Sequence, residues 1–534
     1  MKRYIFRAYA ALLTTALLAS CVGDLDTEPL NSRVSTATLV FKNPESYKEF
    51  LAKLYGAMTL TGQRGEYGQP ELSAPDEGTT SFMRMYWSAQ EITTDECVSA
   101  WGDASLIEYH SHNWSEQNFY VQLLYQRVFI NIAYCNEYIR SASSRVDGLE
   151  AGLREDVKQY IAEAKFLRAL YYYFALDLWG NVPFVTEDDA PGAYLPRQIK
   201  RADLFAYLDQ ELTAILPELA EPGTNEYARA DRAAAWMLLA RLHLNAGAYL
   251  ENAGIDHYTQ AINYSKEIIS SGAFSLAGDY SALFLADNDQ LREEIIFPIA
   301  EDGDNGRNYG GVTFIIHAAS GGNLDLVNDI GIAASGGWAG SRLTNTFVHK
   351  FADPSGETDR RALFFTDGQT LDITNITNFR EGYLSRKFRN VTSTGVRGKN
   401  DTFVDTDFPL FRLADVYLMY AEAVLRGGTG GDRATAIQYI NLLRHRAYGD
   451  DSGNIADSDL TLPFILDERG RELHWEAQRR TDLIRFGVFT GDDYLWDWKG
   501  NVKAGAATPE HFDLFPIPLV DRAINTNLDQ NPEY

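Results

Sequence analysis

Four tryptophans, Trp87, Trp101, Trp114 and Trp338, fall in stretches that read as loops or element ends rather than helix faces, in a chain that is 13% aromatic. Most aromatic residues pack into a core, so position decides which of them are free for chemistry. A ring left open offers a flat, polarisable face to the C–H side of a pyranose, while polar neighbours satisfy the hydroxyls. Covering half of such a face, about 80–100 Å² at ~25 cal/mol per Å², is worth roughly 2 kcal/mol gross. Three rings on a rigid arc would give about 6 kcal/mol against an association cost of at least ~4, enough for weak, avidity-dependent capture.

Covalent chemistry has less to build on. The sequence contains no H-E-x-x-H, G-x-S-x-G, C-x-x-C or G-x-x-x-x-G-K-[ST], and no G-x-G-x-x-G opening a helix. His110 and His112 could face one way and invite a metal, but two ligands without a third are insufficient for zinc, and a polar loop pair is the stronger reading. Among 74 acidic residues no pair stands out as a glycosidase acid and base. Cys97 and Cys135 could pair in an oxidising compartment or stay as two buried thiols, since spacing alone does not show proximity.

The elements that must position these residues begin after a leader. Residues 1–20 put Lys2, Arg3 and Arg7 ahead of an apolar run from Ala8 to Ala19 that is too short to span a bilayer, which is a signal peptide. The run ends in Leu18-Ala19-Ser20-Cys21, similar to the bacterial lipobox, so Cys21 is expected to carry lipid. Residues 21–40 then read as a polar, breaker-rich tether. A net charge of −26 makes nucleic acid and anionic headgroups poor partners, and no later stretch approaches a transmembrane length, so the lipid is the expected membrane attachment.

Apolar residues at three- and four-residue intervals predict helices over 44–60, 117–144, 152–179, 203–219, 230–247 and 256–271, and again over 411–426, 432–447 and 465–486. Two stretches, Ala234–Ser270 and Leu413–Ala447, repeat one theme of an Ala-rich helix, a glycine turn and a second helix with Ala-Ile. That pattern is weakly tetratricopeptide-like and predicts a mainly all-α helical superhelix, with generic helical hairpins as the alternative. The expected divisions are a helical region at 41–283, a loop-rich insertion at 284–410, and a helical region at 411–534 that completes the same domain. Within the insertion, ten of the 38 residues from Gly303 to Gly340 are glycine. It also carries Tyr309, Phe314, Trp338 and Phe347, which a disordered segment seldom does, so the ligand site is expected there.

Several motifs together resemble the SusD/RagB family of outer-membrane lipoproteins from almost end to end: TGQRGEYGQPEL, DEGTTSFMR, ITTDECVSAW, AEAKFLRALYYYFALDLWGNVPF, RADRAAAWMLLARLHLNAG, FLADNDQ, RNYGG, GGWAG, DTDFPLFRLADVYLMYAEA, RRTDLIRFGVF and YLWDWKG. The LWG-x-PF and RRTDLIRFG signatures are family-wide, whereas DEG…R, DEC…AW, RNYGG and GGW are similar to the starch-binding members. The resemblance implies a non-catalytic receptor that captures starch-like oligosaccharide and passes it to a SusC-like TonB-dependent outer-membrane transporter from the extracellular side. It implies that Trp101, Tyr309 and Trp338 form an aromatic arc, with Asp76 and Arg84 holding sugar hydroxyls. It also implies a structural calcium, with Asp289, Asp405 and Asp407 as oxygen ligands. Ser99 and Ala104 stand where the starch binders place a further tryptophan and an asparagine. Another glycan, or peptide as in RagB-like relatives, is the alternative ligand, with a surface glycoside hydrolase behind both.

Overall fold

The computed structural model describes residues 41, 43–63, 66, 70–74, 76–190, 192 and 194–534. The expected leader and tether, and Cys21, the residue expected to carry lipid, lie outside the described residues. Contacts divide the chain into a first unit ending at Glu49 and a second covering Phe50–Tyr534. In the first unit the rings of Phe41 and Tyr47 pack 4.9 Å apart. All that follows concerns the second.

The main helices are α1 (Glu45–Gly56), α2 (Phe82–Glu91), α3 (Ala104–Ser111), α4 (Phe119–Ser143), α5 (Ala151–Trp179), α6 (Arg201–Ile215), α7 (Arg232–Leu244), α8 (Asp256–Ser270), α9 (Gly311–Ala318), α10 (Leu413–Leu425), α11 (Arg433–Tyr448), α12 (Leu462–Leu473) and α13 (Arg479–Arg485). Their ends follow local chemistry. Asn118, Asp231 and Asp432 accept hydrogen bonds from the backbone N–H groups of Val121, Ala234 and Thr435 at the starts of α4, α7 and α11. Gly449, at φ 80°, closes α11. Successive helices pack against each other, α4 on α5, α5 on α6, α6 on α7 and α7 on α8. α8 then packs on α10, and α10 on α11 and α12. The two sequence repeats are therefore adjacent helical hairpins of one tetratricopeptide-like superhelix, as expected from the small residues at their contacts.

Between α8 and α10 the chain leaves the stack. The strands are β1 (Cys97–Ser99), β2 (Val182–Pro183), β3 (Gln198–Ile199), β4 (Ile295–Ile299), β5 (Ser341–Leu343), β6 (Phe364–Phe365), β7 (Leu384–Ser385) and β8 (Phe408–Arg412). The excursion is closed at its base by β4 pairing antiparallel with β8, Ile299 opposite Phe408. A second antiparallel pair, β1 with β5, ties the DEC segment to the excursion.

Three expectations change. The predicted 465–486 helix is two, because Trp475 and Ala477 adopt φ 63° and 55° between α12 and α13. The insertion is not without helix: α9 runs through GVTFIIHA, and because every residue of it is buried it has no polar face to betray a period. α2 escaped notice for the same reason, and Trp87, read as a loop residue, is a fully buried residue of it.

The RRTDLIRFG motif is a buried ionic hub. Arg479 holds Asp95 through Nε and Nη2 at 2.7 and 2.8 Å, Arg469 holds Asp482 at 2.8 Å, and Arg485 holds Glu422 and Asp482. Beside it Arg412 spans Glu294, Glu472 and Glu476. Removing one partner from such a network strands a buried charge, so the motif locks α10, α12, α13 and the Asp95 segment together, and its Thr481 bonds Gln90 of α2.

Candidate functional site

The aromatic residues named from sequence come together at the edge of the excursion. Ser99 of β1 pairs with Ser341 of β5, and the register continues as the Ala100 N–H donates to the Gly340 carbonyl at 2.8 Å. That places Trp101 beside Trp338, and the Trp101 indole N–H donates to the Trp338 carbonyl at 3.0 Å. Tyr309 lies on the other side of Trp338, ring centroids 6.4 Å apart at 45°. All three rings are half-buried. The close approach needs glycine at one point above all: a Cβ on Gly340 would stand 2.5 Å from Cε2 of Trp101.

Each ring has its own support. Phe403 backs Tyr309 at 5.1 Å and Phe314 meets Trp101 edge-on at 6.0 Å. His317 lies on Trp338 at 4.8 Å and 30°. The segment 338–340 is stitched to the end of α9, since the N–H groups of Trp338, Ala339 and Gly340 donate to the carbonyls of His317, Ser320 and Ala318. These bonds hold Ala339 at φ 51°, a conformation that costs energy for a residue with a side chain. Phe314 and His317 are three residues apart on one helix that follows RNYGG directly, and that spacing is the signal that would have found them.

Asp76 and Arg84 reach the same place through α2 and the 3₁₀ turn Glu77–Thr80. Asp76 caps that turn, accepting from the Gly78 N–H and the Thr79 hydroxyl. Its Oδ2 meets Arg84 Nη1 at 2.6 Å, with the acid side chain 52% exposed and the base 6%. The Arg84 guanidinium also lies 4.6 Å over the Phe314 ring, and a Cβ on Gly78 would meet the Tyr309 carbonyl at 2.3 Å. The ion pair and the rings thus share Phe314 and Tyr309 as common supports. Asp76 is the open member, an acceptor for hydroxyls, and Arg84 stands behind it.

Other sequence candidates fall elsewhere. Ser99 is buried, its hydroxyl accepting from the Trp101 N–H, so it is not an open position. Trp114 is a core residue whose indole donates to the Tyr534 hydroxyl. His110 and His112 are buried rather than a polar loop pair, with His112 held between the Thr93 carbonyl and the Thr508 hydroxyl; burial pulls both imidazoles down, to about 4 and about 3. Cys97 and Cys135 are separate buried thiols, and burial pushes Cys135 up to about 12.

The three carboxylates expected to hold calcium are near neighbours, since the charges of Asp289 and Asp405 both add to the rise of Asp407. Asp405 accepts from the Gly303 and Lys399 N–H groups with the Lys399 ammonium 3.3 Å away. Asp407 accepts from the Glu301 N–H and the Tyr227 hydroxyl, and burial raises it to about 7. Asp289 accepts from Gln290. Among the described residues no group of three or more His, Cys, Asp or Glu side chains is arranged to hold a metal.

Residues 332–534 match the family model described as SusD family, and residues 72–244 match one described as starch-binding associating with outer membrane. The chain is 32% identical over 582 aligned residues to the starch-binding protein SusD of Bacteroides thetaiotaomicron, covering 100% of this chain and 99% of that one. A SusD-like protein of Bacteroides ovatus is 23% identical, covering 93% and 85%. In fold the chain is similar to a SusD homolog from Bacteroides thetaiotaomicron, with TM-score 0.72, 20% identity, and 93% and 98% coverage. It is also similar to surface glycan-binding protein A from the same species in complex with laminarihexaose, with TM-score 0.68, 20% identity, and 91% and 99% coverage. With a relative at that identity along its whole length, matching family models on both sides of the ring cluster, and this helical stack, the chain belongs to the SusD family.

Proposed function

We propose that this protein is a non-catalytic cell-surface receptor that binds starch-like α-glucan on Trp101, Tyr309 and Trp338 and hands it to a SusC-like TonB-dependent transporter in the outer membrane. The observation that carries the reading is the cluster itself: three half-buried rings from separate segments, fixed to each other by an indole-to-carbonyl hydrogen bond and shared supports, beside an open carboxylate. Rings in that state leave one face for sugar C–H groups while the other is held by protein. Asp76 accepts hydroxyl protons, and Arg84 fixes the carboxylate and presents its exposed edge. The name of the 32% identical relative supports starch as the ligand.

Bond cleavage is not part of this reading. Glycoside hydrolysis needs one carboxyl to give a proton and another to attack or activate water. Asp76, paired with a guanidinium, is an acceptor.

In this reading lipid on Cys21 confines the site beside the transporter, so that weak capture becomes effective through local concentration. Calorimetric titration with maltoheptaose, and with laminarihexaose as the β-linked control, tests the assignment. Binding of the α-glucan that is lost in Trp338→Ala is the expected result. Preference for laminarihexaose would move the ligand to another glycan, and binding of neither sugar would defeat the receptor reading.

A further inference from the structure

The Trp338 platform stands on one side chain that touches everything around it. His317 presents its ring to the indole at 4.8 Å and 30°. Its Nδ1 lies against the Gly336 carbonyl, two residues before Trp338, and its Nε2 lies 2.8 Å from the Thr402 carbonyl, next to Phe403, the ring behind Tyr309. Its own backbone carbonyl accepts the Trp338 N–H at 2.8 Å. Each edge of this imidazole therefore faces a carbonyl of a different segment, 336–338 and 402–403, and its one N–H donates to either of them in turn. The ring is buried, 1% exposed, so no ligand reaches it.

We infer that His317 is the positioning residue of the glycan platform, fixing the Trp338 ring by stacking and joining its loop to the support of Tyr309 through the two carbonyls. This rests on the proposed glycan-binding reading for its purpose, while the coupling of the two segments is independent of it. Side chains of similar size perform only part of the role. Phenylalanine keeps a ring against Trp338 and offers no donor, leaving the Gly336 and Thr402 carbonyls without it. Glutamine keeps a donor and loses the ring. A neutral imidazole donates from one nitrogen at a time, so a single donor can serve one carbonyl in turn, and glutamine should recover part of what phenylalanine loses.

The test compares His317→Phe, His317→Gln and the parent protein, full length, by amide hydrogen exchange and by maltoheptaose titration. Exchange in His317→Phe should quicken at least about tenfold at residues 336–340 and 402–404, leaving α10 and α12 unchanged. His317→Gln should fall between the two. Maltoheptaose affinity should weaken in the same order, by about tenfold in His317→Phe. Unchanged exchange at both segments overturns the inference, as does loosening that spreads equally through α10 and α12, which marks a general packing role. If the parent itself binds no maltoheptaose, the receptor reading fails, and the exchange data still decide whether His317 couples the two segments.

Discussion

The indole N–H of Trp101 donates to the main-chain carbonyl of Trp338 at 3.0 Å across 237 residues of sequence. One ring therefore uses its polar edge to fix the backbone of the other, and its open face stays available. The β1–β5 ladder makes this possible, because the Ala100 to Gly340 hydrogen bond carries the register one step beyond the last paired residues.

The two rings should respond differently to substitution. Trp338→Ala removes a platform worth roughly 2 kcal/mol, about thirtyfold in maltoheptaose affinity. Trp101→Phe keeps an apolar ring but leaves the Trp338 carbonyl without its donor, and should cost less affinity while loosening the 338–340 segment. Calorimetry with near-ultraviolet circular dichroism on both variants separates lost contact from lost order.

A methyl group at residue 340 should disturb the site from behind. The added Cβ would lie 2.5 Å from Cε2 of Trp101, so the indole must swing or the β1–β5 pair must part. Gly340→Ala is expected to cost about 1–3 kcal/mol of stability, the usual range for overpacking, and to weaken sugar binding. Gly102→Ala, one residue from Trp101 with nothing within 4 Å of its added Cβ, is the control and should leave binding intact.

Arg479→Ala should destabilise the whole stack. It strips two charged hydrogen bonds from Asp95, leaving that buried carboxylate to Lys350 at 3.5 Å and the Tyr494 hydroxyl at 2.7 Å. Breaking a buried pair by removing one partner costs about 3–5 kcal/mol. Denaturant unfolding measures it, and a loss under 1 kcal/mol would contradict the hub described for RRTDLIRFG.

The contribution of Glu91 and Glu96 to stability should fall as pH rises through the range where they ionise. Both are buried, and burial pushes them up, Glu96 to about 7; the Glu96 charge raises Glu91 further, while Arg479, a hydrogen bond with Glu91 and the Trp475 N–H oppose the rise of Glu96 and Asp95 adds to it. An unfolded glutamate titrates near 4.5, so between there and about 7 the folded chain binds more protons at these groups than the unfolded one, and their contribution declines with pH. In urea midpoints taken from pH 5 to pH 8 this fall runs against the rise contributed by the buried imidazoles of His110 and His112, so Glu96→Gln should shift the slope upward relative to the parent. A slope unchanged by the substitution would place the proton elsewhere.

How much of the site was legible depended on what surrounds each residue. The helices with one wet face, such as α8 and α11, announce themselves by period, whereas α7 and α10, buried along nearly their whole length, were legible through their thirteen-residue runs and the repeated Ala-rich theme. α2 and α9, short and buried on every side, do not, because burial erases the alternation, and with α9 went His317 and the supporting role of Phe314. Trp101, Tyr309 and Trp338 were named through family motifs. Composition alone placed Trp87 and Trp114 in the same class as Trp101 and Trp338, and both proved to be core.

By itself the sequence determined the helical period, the repeated hairpin theme, the leader pattern ending at Cys21 and the absence of familiar catalytic motifs, since all of these are local in the chain. Only the tertiary structure decided which rings stay half-open, which carboxylates are spent on backbone donors, and that Asp76 rather than Arg84 is the exposed member of its pair. Those outcomes depend on contacts hundreds of residues apart, where burial and register, not residue type, set what a side chain can do.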